Sequence, residues 1–453
     1  MNFHAMLRSR AANGKPIRLA LIGAGKFGTM YLAQAKLTAG VHVAAVVDLD
    51  PARAMQRFIA AGFPRERIST TGLDNAFAEQ RTYITDELDT VLDDPRIEIV
   101  IEATGDPSSG VTIASRAFAR GKHVIMVNVE ADALAGPLLA QRAAQAGVVY
   151  SLAWGDQPAL IAEHVDWART CGFEVVAAGK GTRYLPRYHN LTPDTVWDVL
   201  AEYLPIEDKS HINPQMFNSF LDGTKSAVEM TAVCNACNLM PQIDGLRFPP
   251  ASRFELAEIL KPESHGGCIE QPGVTEVVSS LYRDGTPVPN HLAMGTFVVV
   301  TSDSAYARQC FREYNCLVDS SGDYAALYRP THMIGLELGI SIASVALRGE
   351  PTGTARVFNS DVVAVAKRPL KAGEYLDGEG GFTVWGRQMP ARVSLAEGFL
   401  PLGVSKGARL VRGVSEGTRL SWADVIVDET DAAVRARREM AALFAAGDAM
   451  RTV

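Results

Sequence analysis

Apolar runs of strand length alternate with amphipathic stretches of helix length through the first third of the chain. The predicted strands cover residues 18–22, 41–47, 97–103, 124–127 and 148–152, and the predicted helices cover 29–38, 51–61, 108–120 and 134–146. Strands that alternate with helices form parallel sheets covered on both faces. The pattern therefore predicts an α/β fold that begins with a Rossmann domain, a doubly wound parallel sheet.

The pattern changes after residue 158. A helix over 159–171 and a strand over 174–178 lead into a region with predicted helices over 193–203, 217–238 and 254–259 and a strand over 297–301. A strand over 357–367, many glycines and a final helix over 431–446 follow. We predict three domains, the Rossmann domain over 1–157, an α+β catalytic domain over 158–355 and a small β-rich domain over 356–453.

Composition limits the class of protein. The chain has 453 residues, 47% hydrophobic and 21% charged, with a formal net charge of −7, which does not favour nucleic acid or an anionic membrane as a partner. No stretch is long and apolar enough to span a bilayer, and the polar N-terminus does not resemble a secretory signal. Six cysteines are too few for a disulfide framework in this length. We expect a cytoplasmic protein.

The first predicted strand leads directly into Gly23, Gly25 and Gly28, which have the GxGxxG spacing. In a dinucleotide-binding loop the first glycine allows the tight turn, the second lets the backbone approach a pyrophosphate, and the third lets helix and strand pack closely. Asp48 ends the second strand, where an acid that binds ribose belongs. The predicted cofactor-binding residues are Gly23, Gly25, Lys26, Phe27, Gly28, Asp48, Arg53, Thr104, Gly105 and Asn128. Asn128 is equally consistent with a helix N-cap.

Asp222, Lys225 and Glu229 open a stretch that is apolar nearly all round, which is typical of a buried helix. Charged groups at the start of such a helix favour a catalytic role, although Lys225 and Glu229 also have the spacing of a surface pair. Lys180 lies between two glycines in a predicted loop after a strand, and we interpret it as a further catalytic candidate or part of a solvated turn. Arg183, Arg187 and His189 follow, and they suit a substrate phosphate or a solvated surface.

Five segments carry a resemblance to a known family. They are residues 20–31, 127–132, 222–231, 328–333 and 366–374. With them the chain resembles the homoserine-dehydrogenase-like oxidoreductases that carry a C-terminal SAF domain, and the resemblance extends nearly end to end. The characterised member of that family is a second class of 1-deoxy-D-xylulose 5-phosphate reductoisomerase.

The resemblance implies an NADPH-dependent homodimer that makes 2-C-methyl-D-erythritol 4-phosphate for isoprenoid synthesis from a phosphorylated sugar. Such a site polarises adjacent substrate oxygens with a lysine or with a divalent metal such as Mg²⁺. Asp48 favours NAD(H), because an acid there repels a 2′-phosphate, whereas Arg53 is able to reach that phosphate. We expect NADP(H), with NAD(H) as the alternative.

Two other functions fit the same residues. One is hydride transfer alone, on another small hydroxy or oxo substrate such as homoserine. The other is a nicotinamide-binding sensor without turnover, which charged groups on a buried helix disfavour.

Overall fold

The computed structural model describes residues 2–69, 71–202 and 213–445. Up to residue 170 the strands are β1 Ile17–Ile22, β2 Val41–Val47, β3 Ile68–Ser69, β4 Thr82–Thr85, β5 Ile99–Glu102, β6 His123–Met126 and β7 Tyr150–Leu152. The helices of this part are α1 Phe3–Ala12, α2 Lys26–Ala35, α3 Pro51–Ala60, α4 Leu73–Ala78, α5 Leu88–Asp93, α6 Pro107–Phe118, α7 Val129–Gln145 and α8 Gln157–Thr170.

The strands of the remaining chain are β8 Glu174–Thr182, β9 Val274–Ser279, β10 Thr296–Thr301, β11 Leu317–Val318, β12 Ala325–Arg329, β13 Ser360–Ala366, β14 Val384–Pro390, β15 Arg409–Leu410 and β16 Val425–Ile426. Its helices are α9 Val196–Ala201, α10 Pro214–Leu221, α11 Thr224–Cys237, α12 Leu256–Ile259, α13 Ala305–Glu313, α14 Gly339–Arg348, α15 Ala391–Glu397 and α16 Ala432–Ala445. The chain divides into two compact units, one formed by residues 1–160 and 333–354 and the other by 161–332 and 355–452.

The first unit contains a seven-stranded sheet in the order β3-β4-β2-β1-β5-β6-β7, in which every pair of neighbours is parallel. This confirms the predicted doubly wound parallel sheet. The strand order reverses between β1 and β5, since β2 lies on one side of β1 and the chain later returns to its other side. Ligands of such sheets bind in the crevice at the carboxyl ends of the strands at this reversal.

Two helices outside the segment from β1 to β7 complete the core of the first unit. Phe3 and Leu7 of α1, Leu338 just before α14 and Ile342 of α14 are buried in the same cluster as Leu19 of β1. Helix α14 thus packs on the Rossmann sheet although more than 170 residues of chain separate it from β7. The predicted division into three domains stays a prediction, and the compact units place residues 333–354 with the Rossmann sheet rather than with the residues before them.

The second unit contains a mixed five-stranded sheet in the order β11-β12-β10-β8-β9. Helix α11 is buried along almost its whole length, as its apolar composition predicts. Its Thr231 hydroxyl bonds to Ser360 of β13 (2.9 Å), and Thr224 accepts from the Gly386 N–H of β14 (2.8 Å). The β13–β14 hairpin thus packs on the helix. The predicted β-rich tail forms two sheets of two strands each among the described residues.

Two local predictions are wrong. The helix predicted over 217–238 is two helices, because the chain breaks at Asp222 and at Gly223, whose φ is +90°. The strand predicted to end at 178 continues to Thr182, so Lys180 lies within β8 and not in a loop. The predicted helices over 193–203 and 431–446 each extend one residue beyond the described part of the chain. No helix of the described residues has the length and apolar character needed to cross a membrane.

Candidate functional site

The glycine loop after β1 has the geometry of a pyrophosphate cradle. Gly23 has a φ of +96°, and a Cβ there would lie 2.6 Å from the carbonyl oxygen of Ala103, which follows β5. A Cβ at Gly28 would lie 2.6 Å from the Gly23 carbonyl oxygen, so α2 packs directly against the turn. A Cβ at Gly25 would meet no atom within 4 Å. Gly25 and Lys26 are exposed at the start of α2, where free N–H groups and the helix dipole favour an anion.

Asp48 holds this loop in place. Its carboxylate accepts from the N–H groups of Ala24 (2.8 Å) and Asp50 (3.0 Å) and from Arg53 Nη2 (3.0 Å). Burial raises the pKa of Asp48, but the two backbone N–H groups and the Arg53 guanidinium together bring it below its ordinary value. The side chain of Asp48 is 7% exposed and that of Arg53 is 55% exposed. Arg53 is therefore accessible to a ligand at this edge, and Asp48 shapes the loop in addition to any ribose contact.

Thr104 and Gly105 are exposed in the loop that follows β5, on the other side of the strand reversal. Asn128 is buried, and its Oδ1 accepts from the Ala131 N–H (3.1 Å) as the N-cap of α7. Its Nδ2 donates to the Asp106 carbonyl oxygen (2.9 Å). The geometry shows the N-cap alternative for Asn128, and its buried side chain also supports the loop over residues 104–106, while a cofactor contact stays a prediction.

These residues fit a nicotinamide dinucleotide. The space beside Gly25 is what a pyrophosphate needs, and the exposed residues Lys26, Thr104 and Gly105 surround the reversal of strand order. Phe27 is half-buried in the first turn of α2, and its carbonyl oxygen lies 3.2 Å from a Cβ placed on Gly335. Phe27 is thus a packing residue of the loop in this structure.

In the second unit, Lys180 of β8 and Glu229 of α11 form a buried ion pair, with side chains 6% and 3% exposed. The flanking glycines allow close chain packing, since a Cβ at Gly179 would lie 1.7 Å from the Glu276 carbonyl oxygen and one at Gly181 would lie 1.8 Å from that of Leu292. Glu229 is the only hydrogen-bond partner of Lys180 Nζ among the described residues. Because an ammonium carries three N–H donors, Lys180 has donors available for a ligand.

A polar row crosses the same face of this sheet. Thr296 of β10 is the register partner of both Lys180 and Arg329 of β12, and residues directly opposite each other point to one face. His164 of α8 bonds to the Thr296 hydroxyl through Nε2 (3.1 Å), which shows that α8 covers this face. Burial lowers the pKa of His164 to about 4, and the Arg329 charge contributes to that. The neutral imidazole therefore lies near the Arg329 cation, and the row has a cationic side chain at each end, of which Lys180 is paired with Glu229.

Asp222 belongs to a different cluster. Its Oδ2 pairs with Lys367 Nζ at 2.8 Å, and both side chains are almost inaccessible. Lys367 Nζ also donates to the carbonyl oxygens of Leu191 (2.7 Å) and Gly381 (2.9 Å), so its donors are all used. Burial raises the pKa of Asp222 against the opposing effect of Lys367. These contacts favour a structural role for Asp222 over the predicted catalytic one. Lys225 is half-buried in the first turn of α11, one turn before Glu229.

The three predicted phosphate ligands do not converge. Arg183 pairs with Glu202, and Arg187 is exposed and stacks over the Tyr188 ring with its guanidinium carbon 5.7 Å from the centroid. His189 bonds to the Asp222 carbonyl oxygen (2.6 Å) and the Tyr184 hydroxyl (2.8 Å), and it stacks on Trp385. Burial lowers the pKa of His189 to about 4. A neutral ring with both nitrogens occupied does not favour an anion ligand, and the role of His189 at a phosphate stays a prediction.

The described residues contain no group of three or more His, Cys, Asp or Glu side chains placed to hold a metal ion. The expected Mg²⁺ thus has no support from the protein ligands alone. Sequence reasoning missed His164, Thr296 and Lys367 as members of these clusters, and it placed Arg329 in a family motif without a role. The alternation of side chains along β10 and β12 would have placed Thr296 and Arg329 on one face, but only the register aligns them with Lys180.

Two family models match the chain. Residues 17–127 match the oxidoreductase family with an NAD-binding Rossmann fold, the GFO_IDH_MocA model, and residues 155–338 match the catalytic domain of oxidoreductase DRL. Comparison with curated proteins finds none that matches. The two matches and the parallel sheet show an oxidoreductase with a Rossmann NAD-binding domain, and hence a nicotinamide cofactor.

Among solved structures, the chain is similar to the yvaA protein of Bacillus subtilis, with 12% identity, 75% of this chain and 91% of that chain covered, and a TM-score of 0.35. It is also similar to biliverdin reductase from Synechocystis, with 17% identity, coverage of 38% and 48%, and a TM-score of 0.27. A magnesium complex of DOX-P reductoisomerase gives 14% identity, coverage of 50% and 58%, and a TM-score of 0.33.

Proposed function

We propose that this oxidoreductase is an NADPH-dependent reductoisomerase that converts 1-deoxy-D-xylulose 5-phosphate to 2-C-methyl-D-erythritol 4-phosphate. The proposal rests on the motifs that resemble the homoserine-dehydrogenase-like family and on the match to the DRL catalytic domain. The observation that carries it is the buried Lys180–Glu229 pair on a sheet face that also presents Arg329. That face offers one cation for a substrate oxygen and another for a phosphate.

Lys180 is suited to polarise a carbonyl oxygen. Its ammonium is buried, where an electrostatic interaction is stronger than in water, and Glu229 holds it in position. Carbon–carbon rearrangement of a ketose phosphate requires charge stabilisation on adjacent oxygens, and an ammonium with available donors provides it. Lys225, one turn earlier on α11, is the second candidate for contact with these oxygens.

Arg329 is suited to bind the substrate phosphate in place of the predicted Arg187 and His189. Its guanidinium presents several donors in a fixed fork that matches phosphate oxygens. Burial raises the pKa of Glu163 on α8, and the charge of Arg329 opposes that effect, so the two residues lie near each other. Thr296 of β10 lies between Lys180 of β8 and Arg329 of β12, so the two cations are two strand spacings apart. That separation suits the two ends of a small extended substrate.

The residues that would hold the cofactor are those of the glycine loop, the Thr104–Gly105 loop and the edge formed by Asp48 and Arg53. When bound, the cofactor supplies the hydride that reduces the aldehyde formed by rearrangement. We propose NADP(H), because the exposed Arg53 is positioned beside Asp48 to bind a 2′-phosphate. The resemblance also implies a homodimer and a SAF-type C-terminal module, and light scattering on the purified protein tests the first.

The test is NADPH oxidation on 1-deoxy-D-xylulose 5-phosphate, with and without Mg²⁺, beside a homoserine reaction followed as reduction of NAD⁺ and NADP⁺. Formation of 2-C-methyl-D-erythritol 4-phosphate, identified by mass spectrometry, is the expected result. Turnover of homoserine alone would contradict the proposal and favour hydride transfer without rearrangement. Cofactor binding with no oxidation in a stopped-flow experiment would favour a sensor.

A further inference from the structure

Glu102 is a buried carboxyl group at the place where the strand order of the Rossmann sheet reverses. It is the last residue of β5, and its side chain is completely inaccessible. Its Oε1 accepts from the Thr104 N–H (2.9 Å), so the carboxyl group directly supports the exposed loop beside the glycine cradle. The residue between them, Ala103, is the one whose carbonyl oxygen contacts the Gly23 turn.

The second oxygen of this carboxyl group, Oε2, has no hydrogen-bond partner among the described residues. The nearby Asn128 Nδ2 donates instead to the Asp106 carbonyl oxygen, and a Cβ on Gly110 would lie 3.2 Å from Oε2. An unpartnered oxygen is tolerable in a buried neutral acid and costly in a buried carboxylate. Burial accordingly raises the pKa of Glu102 to about 7, although hydrogen bonding from Thr104 opposes this.

Among the described residues, the titratable groups that interact with Glu102 or lie next to it are acids and a tyrosine. Glu130 of α7 raises its pKa further, and the charges of Glu102 and of Asp132 of α7 both raise the pKa of Tyr150 of β7. Asp132 accepts from the Tyr150 hydroxyl (2.7 Å), and burial raises its pKa to about 7 as well. Asp106 precedes α6 on the other side, and its carboxylate accepts from Ser109 N–H as the N-cap of that helix.

We propose that Glu102 supports the Thr104–Gly105 loop and takes up a proton when the anionic cofactor binds, and thereby couples cofactor affinity to pH. The acid form leaves a neutral group behind a site that must accept an anionic dinucleotide. Ionisation strengthens the bond from the Thr104 N–H, but it places a buried negative charge behind the site, and that charge disfavours the anionic dinucleotide. The inference rests on the Rossmann site alone, so it stands or falls independently of the reductoisomerase reaction.

The experiment measures the Kd of NADPH by its fluorescence from pH 6 to 8.5 for the wild type, Glu102→Gln and Asp132→Asn. Binding of the anionic cofactor raises the pKa of Glu102. For each unit of that rise, the wild type binds NADPH about tenfold more weakly at high pH than at low pH. Glutamine keeps the acceptor for the Thr104 N–H and does not titrate, so the pH dependence due to this group disappears. Asp132→Asn removes a matched buried acid that has no contact with the loop, and it keeps the wild-type slope.

A second measurement uses the wild type and the same two variants. Calorimetric titration of the wild type with NADPH at pH 7.5, in two buffers of different ionisation enthalpy, reports the protons taken up on binding. We expect an uptake of a substantial fraction of one proton, reduced in Glu102→Gln and retained in Asp132→Asn. Any of three results would overturn the proposal. These are a wild-type slope in Glu102→Gln, an equal loss of slope in both variants, and a proton uptake of zero in the wild type.

Discussion

At the scale of single residues, the second unit contains three buried lysine–carboxylate pairs among its described residues. They differ in how many N–H donors of the ammonium are used by protein acceptors. Lys367 and Lys261 have several internal partners, with Lys261 Nζ bonded to Glu258 (2.8 Å) and Asp319 (3.0 Å). Lys180 has Glu229 alone within the described residues. A buried ion pair is weak evidence for stability by itself, so the pair with available donors is the one to test for function.

We expect Lys180→Met to lower the rate of NADPH oxidation by two to four orders of magnitude, about the range for loss of an electrostatic catalytic group. Thermal melting will also show destabilisation, because Glu229 is left buried without its partner. Lys261→Met is the matched control, since it removes a buried lysine from a carboxylate pair and leaves the rate per folded molecule unchanged. A near wild-type rate in Lys180→Met with a large loss in Lys225→Met would instead assign the catalytic role to Lys225.

Arg53 provides the test of coenzyme choice. We expect Arg53→Ala to weaken NADPH binding about tenfold and to leave NADH binding nearly unchanged, because only NADPH carries the 2′-phosphate that the guanidinium would contact. The lost pair with Asp48 has little effect on stability, since the Arg53 side chain is 55% exposed. Fluorescence titration with both coenzymes measures this, and equal losses for the two would mean that Arg53 acts only through Asp48.

At the scale of elements, the strand–loop–helix unit β1–α2 assigns different constraints to its glycines. Gly23 is required by the backbone, since its φ is positive and the Ala103 carbonyl oxygen leaves no room for a Cβ. No neighbouring protein atom requires a glycine at position 25, because the space beside it is open. The same motif therefore contains one glycine needed for folding and one needed for the ligand.

We expect Gly25→Val to fold with a Tm close to that of the wild type and to lose nicotinamide binding, because the side chain fills the space for the pyrophosphate. Gly23→Ala, in contrast, loses more than about 1 kcal/mol of stability through its positive φ and the close carbonyl. Circular dichroism melting and fluorescence titration on both variants separate the two effects. Wild-type affinity in Gly25→Val would contradict the placement of the pyrophosphate.

At the scale of the whole molecule, buried titratable groups oppose one another in the pH dependence of stability. Burial raises the pKa of Glu102, Asp132 and Glu276 to about 7 and lowers that of His164 and His189 to about 4. The raised carboxyl groups lose their contribution as the pH rises from their unfolded pKa to about 7. The histidines lose theirs as the pH falls from about 6.5 to 4.

Asp132→Asn isolates one of these contributions. The folded wild type keeps a proton on Asp132 between about pH 4 and 7 while the unfolded chain has lost it, so wild-type stability falls with rising pH over that window. Asparagine does not titrate, and we expect the Tm of the variant minus that of the wild type to increase from pH 4.5 to pH 8. The histidine effects cancel in this difference. A difference in Tm that stays constant with pH would contradict the prediction.

The sequence by itself determined the features whose causes lie within one short segment. The glycine spacing, the acid at the end of β2 and the alternation of strands and helices identify the Rossmann sheet and its binding edge, because a turn and the helix after it depend on neighbouring residues. The same local logic predicted α11 as a buried helix from its composition.

Only the tertiary structure decided which charges meet. Lys180 finds Glu229 49 residues away, and Asp222 finds Lys367 of the C-terminal segment. Thr296 and Arg329 join the row through the register of β8, β10 and β12, and α14 joins the Rossmann core after the chain has formed most of another unit. Hydrophobic periodicity reports which face of an element is buried, but strand register and the packing of distant elements arise from long-range pairing, which no local pattern encodes.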